Sequence, residues 1–111
     1  MPKEMRQILF SAGEVVSAVT DYHRRRNLPL PLGTVLRCVI LDDPEVRGVL
    51  VIQSDDRQLI DLAITAEMLA ASLILYCINR KIPLPAEAEK KLQKVGENGV
   101  ALFVITRPKN P

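Results

Sequence analysis

Few side chains in this sequence could do chemistry, and the densest group of them is cationic. Arg24, Arg25 and Arg26 run together just before Leu28-Pro29-Leu30-Pro31, and Arg80 and Lys81 stand just before Ile82-Pro83-Leu84-Pro85. Guanidinium groups that converge can hold phosphate or carboxylate through charge-assisted, often bidentate hydrogen bonds, so these five are the candidate anion-binding residues. Three consecutive helical residues fan out over roughly 200° at 3.6 residues per turn and cannot form one flat patch while the helix lasts. Cations at a helix end also have a plainer use, because they complement the negative end of the helix dipole.

The remaining reactive types are sparse. His23 is the one histidine; no spacing sets a serine or cysteine beside it, and a surface or half-buried histidine is expected. Asp42-Asp43 and Asp55-Asp56 offer hard oxygen ligands, yet both pairs lie in turn signals, where aspartate bonds its own backbone. Gly33, Gly96 and Gly99 fall at turns rather than in a phosphate-binding loop. Cys38 and Cys77 form no CxxC and sit in apolar surroundings, which reads as two reduced, buried thiols. No catalytic residue, cofactor site or metal site follows from these residues, and the chain reads as non-enzymatic.

The elements that must position these side chains centre on 65–85. From Met68 to Ile78 only Ser72 is polar, so a helix here must be buried over most of its circumference. Thr65 caps it and Pro83 and Pro85 forbid its continuation. Ser11 to Pro31 is a wetter version: Ser11 and Glu14 form a capping box, Val15, Val16, Ala18, Val19 and Tyr22 make one apolar face, and the helix ends near Asn27. Setting Phe10 to Pro31 against Ile64 to Pro85, a shift of 54, gives six identities in 22 positions, including Tyr22 with Tyr76 and Arg26 with Arg80. About one or two are expected at ordinary residue frequencies.

Around the helices the pattern turns to strands. Arg6 to Phe10 is a short apolar run, and Thr34 to Leu41 and Val46 to Gln53 flank an acidic, proline-containing loop as in a β-hairpin. Val35, Val39 and Leu41 make the second face of that first strand apolar too, so it needs cover that one helix layer cannot give. Residues 86–94 favour helix by propensity, but their counterpart under the shift of 54 is the Thr34 strand. A turn or short helical stretch after Pro85 and then a strand from about Lys91 to Val95 are therefore expected, followed by a strand from Val100 to Thr106.

The expected fold is α+β: two helices packed on one face of a largely antiparallel sheet, as an internal duplication of β-α-β-β. A ferredoxin-like β-α-β-β-α-β sheet is the alternative. At 111 residues, with 48% hydrophobic and 25% charged side chains, one domain spanning 1–111 is expected, with halves at about 6–53 and 57–106 and a frayed tail at 107–111. The apolar run of the second helix is too short for a bilayer, so no membrane association is expected and the cytoplasm is the default location. A net charge of +2, with 15 basic against 13 acidic groups, does not advertise nucleic acid.

Surplus apolar surface then points to a small interaction module that self-associates as a homodimer or meets another protein. Met68, Ala71, Leu75 and Ile78 on the second helix are the candidate interface. The alternative is a binder of nucleic acid or another polyanion through Arg24 to Arg26, Arg80, Lys81, Lys90, Lys91 and Lys94. Phe103 is the one aromatic inside a strand, too few for the base-stacking mode of a ferredoxin-like RNA binder.

Overall fold

The computed structural model describes residues 4–85 and 88–106. The elements run β1 (Glu4–Phe10), α1 (Ala12–Arg25), β2 (Thr34–Leu41), β3 (Arg47–Gln53), β4 (Leu59–Ile64), α2 (Ala66–Asn79), β5 (Glu89–Val95) and β6 (Gly99–Thr106). This is the α+β class, with each half in the order β-α-β-β, and its six strands exclude the shorter ferredoxin-like order. The tail expected at 107–111 lies outside the described residues, as do Ala86 and Glu87 of the turn expected after Pro85.

Both helices start and stop as their residue types dictate. Ser11 Oγ accepts from the Glu14 amide at 3.2 Å and Glu14 Oε1 accepts from the Ser11 amide at 3.0 Å, which closes the capping box. The Ser11 amide bond to the Glu14 carboxylate, helped by the Ser11 hydroxyl beside it, holds that carboxyl below its ordinary value. Thr65 Oγ1 accepts from the Met68 amide at 3.2 Å. At the other end, Asn27 and Lys81 take left-handed backbone, with φ of 54° and 58°. The Leu28 amide reaches His23 O at 2.9 Å and the Ile82 amide reaches Cys77 O at 2.8 Å, so both helices close in the same 6→1 bonded turn. The prolines follow directly.

The strands form two separate three-stranded antiparallel sheets, ordered β1-β6-β5 and β2-β3-β4, where the sequence suggested one. The connection is crossed. β1 opens the first half but pairs with β6 of the second, Glu4 opposite Thr106, and β4 opens the second half but pairs with β3 of the first, Gly48 opposite Ile64. The edge of β2, which could have joined the sheets, is irregular and partly taken. The register of β2 slips between Val35 and Arg37, and the Ile40 amide on β2 donates to Asn98 Oδ1 at 3.1 Å rather than to a strand. β5 begins at Glu89, two residues before the expected start. Helix propensity loses there because the whole run from Glu89 to Val95 pairs in register with β6.

Directly opposed residues in an antiparallel pair share a face, so each sheet has an inner and an outer row. The inner rows carry Ile8 and Phe10, Cys38 and Ile40, Leu50 and Ile52, Ile64, Leu92, and Val100, Leu102 and Val104. They meet Val15, Ala18 and Val19 of α1 and Leu69, Leu73 and Cys77 of α2 in one cluster. Among the described residues no helix is long and apolar enough to cross a bilayer.

Candidate functional site

The arginines are positioned by the contact between the two helices. Near the start of α1, Glu14 Oε2 accepts from the Tyr76 hydroxyl at 3.3 Å, and further along Asp21 Oδ2 accepts from Asn79 Nδ2 at 3.2 Å. These contacts hold the last turn of α2 against the middle of α1. Between them opens a cleft of about 540 Å³ whose polar wall is Ser17, Thr20, Asp21, Arg24, Arg25, Tyr76, Asn79 and Arg80, with Val16 and Val35 as its apolar part. The structure therefore brings Arg24 and Arg25 of one helix end together with Arg80 of the other. Three guanidinium groups face one carboxylate there, Asp21, which already binds Arg25 Nε at 2.9 Å. A cleft with surplus positive charge and hydroxyl donors suits a carboxylate or phosphate.

Arg26 and Lys81 are not among the residues lining this cleft. Arg26 lies over the Tyr22 ring at 5.4 Å, and Arg80 lies over the Tyr76 ring at 4.6 Å. Each is a cation–π contact one turn back along its own helix, a separation at which helical side chains meet. The matched pair Arg26 and Arg80 thus plays a matched local part, while only Arg80 also reaches the cleft. Thr20 Oγ1 is buried in the cleft wall with no hydrogen-bond partner.

His23 is far more buried than expected, at 2% exposed, and its Nδ1 lies 2.9 Å from Val19 O. Val15, Val19 and His23 follow one another at i, i+4 and i+8, so the apolar face of α1 could have been extended to it from spacing alone. Both cysteines are free and buried. Burial pushes the Cys38 thiol up to about 11 despite a backbone hydrogen bond at Val49, and burial also raises Cys77; a neutral thiol is a poor nucleophile. Asp56 accepts from the Ser54 hydroxyl inside its own turn, which is the chief cause lowering its carboxyl below the ordinary value. Among the described residues no three His, Cys, Asp or Glu side chains gather as a metal site would require.

Of the candidate interface residues, Met68 packs against the buried cluster, Ala71 and Leu75 are half-buried, and Ile78 is 60% exposed. Larger exposed apolar groups lie elsewhere. On the outer row of the first sheet Met5 is 64% exposed and Leu9 61% exposed. Met5 is opposite Ile105 and Leu9 opposite Ala101, with Phe103 between them on β6. Spacing within 6–10 placed a strand there but could not say which face its partner would leave open. No family model, no curated protein and no solved structure matches the chain.

Proposed function

We propose that this chain is a small, non-enzymatic interaction module of the cytoplasm that works as a homodimer and is built from a duplicated β-α-β-β unit. The observation that carries the reading is the outer row of the first sheet, where Met5 and Leu9 stand exposed beside Phe103 on the side away from both helices. Apolar side chains grouped on a sheet face gain by association, since each square ångström withdrawn from water contributes about 25 cal/mol. The buried histidine, bonded to its own helix, and the raised thiols favour a binding role over a catalytic one. Identical helix lengths and the same closing turn in both halves support the duplicated unit. Light scattering on the full chain across a dilution series tests the reading. Twice the chain mass is expected, falling toward the single mass on dilution; a monomer at every concentration overturns it.

A second reading rests on the cleft shared by Arg24, Arg25 and Arg80: binding of nucleic acid or another polyanion. Its affinity for single-stranded RNA would fall with salt at a logarithmic slope of about −2 if the three arginines each neutralise one phosphate, and Arg80→Ala would flatten that slope. Absence of any gel shift at low salt removes it.

A further inference from the structure

The four strands at the sheet edges are not alike. β2 is interrupted by its register slip and has the Ile40 amide taken by Asn98. β4 carries Asp61 in the middle of its outer row, opposite Val51. β5 carries Lys91 on its outer row, opposite Phe103, and Lys90 and Lys94 on its inner row. Bulges, charges on a sheet row and edge lysines are the devices that keep a strand from pairing with another chain. β1 has none of them on its outer row, which reads Met5, Gln7, Leu9; its charged residues, Glu4 and Arg6, stand on the inner row, where Arg6 Nη1 donates to Pro83 O at 2.8 Å. It pairs with β6 over seven consecutive residues without a slip, and among the described residues its backbone bonds to no other strand or loop.

The outer row of β1 is also self-complementary. Two antiparallel copies of one strand must meet so that opposed residue numbers sum to an even number, or the pleats would point opposed side chains to opposite faces. A two-fold axis through Gln7 satisfies this, pairs all of residues 4–10, and sets Met5 against the second copy's Leu9 and Leu9 against the second copy's Met5. The two most exposed side chains of the strand then cover each other, on both sides of a central Gln7 pair. A two-fold axis through Met5 would set Glu4 against Arg6, but it would shorten the overlap and leave Leu9 in water.

We infer that the dimer forms by antiparallel pairing of β1 with β1 of a second copy, centred on Gln7. The result is one six-stranded sheet in the order β5-β6-β1 followed by β1-β6-β5 of the second copy, an isologous interface closed by its two-fold axis. The inference rests on the self-association reading and adds its surface and register to it.

Cysteine scanning of the full chain tests it, because Cys38 and Cys77 are buried and directly opposed strand residues lie within disulfide range. Under oxidised glutathione, Gln7→Cys should link to itself within the dimer. Met5→Cys and Leu9→Cys should each stay unlinked alone and link when mixed. Met5→Cys linking to itself moves the axis to Met5 and overturns the register, and a dimer by light scattering in which no variant links overturns the β1 interface while leaving self-association standing. A monomer by light scattering overturns both. A parallel check uses Met5→Lys with Leu9→Lys, both at exposed positions, which should return the single mass with an unchanged circular dichroism spectrum. A dimer persisting in that variant overturns the interface.

Discussion

Gly33→Ala should lower the stability of the fold by about 2–4 kcal/mol, seen as a lower denaturation midpoint at unchanged slope. Gly33 sits at φ +143° just before β2, and a Cβ there would lie 2.2 Å from Gln53 O and 2.9 Å from its carbonyl carbon. Gln53 is the partner of Thr34 at the end of the β2–β3 ladder, so relief would need the two strands to part where the chain enters the sheet. Gly96 provides the contrast. It is also left-handed, at φ 65°, but nothing lies within 4 Å of a Cβ built on it, so Gly96→Ala should cost only the backbone penalty of about 1–2 kcal/mol. Equal losses at the two positions would show that the close approach of Gln53 does not matter.

Leu50→Ala and Leu102→Ala should each cost about 2–5 kcal/mol, and each should shift one cooperative transition. Leu50 is at the middle of β3 and Leu102 at the middle of β6, both fully buried in the inner rows of different sheets. They belong to the same cluster, together with residues of both helices. Unfolding followed by tyrosine fluorescence and by far-ultraviolet circular dichroism should therefore coincide for either variant. Two separable transitions, each sensitive to only one of the substitutions, would make the sheets independent units and refute the shared core.

The helices were the most legible part of the sequence because their signals are local. Ser11 with Glu14, Thr65, and the prolines after residues 28 and 82 fixed both ends, and the structure adds only the left-handed Asn27 and Lys81 that close them. The positions of β1, β2, β3, β5 and β6 were legible to within two residues, β5 once the Thr34 strand was taken as the guide to residues whose own propensity is helical. Pairing was not legible, since nothing in EMRQILF says that its partner is GVALFVIT at the other end of the described chain rather than the hairpin next to it. That single choice divides the strands into two sheets. The cleft was half legible for a similar reason. Basic residues before each proline stop could be counted, but whether Arg24, Arg25 or Arg26 meets Arg80 depends on how α1 and α2 cross, which Tyr76 with Glu14 and Asn79 with Asp21 decide.

The pairing of β1 with β6 has a consequence in time. During synthesis the chain emerges at about 5–20 residues per second, and β1 leaves the ribosome long before β6, whose Thr106 is the partner of Glu4. The β2–β3 hairpin and its third strand β4 can assemble as they appear, whereas Met5, Ile8, Leu9 and Phe10 wait without a partner until the last strand is made. Contacts of such long sequence separation also slow closure of the fold in the released chain. The strand with no blocking charge on its outer row is thus the one exposed longest in the nascent chain, so premature pairing between neighbouring chains on one messenger would begin at β1.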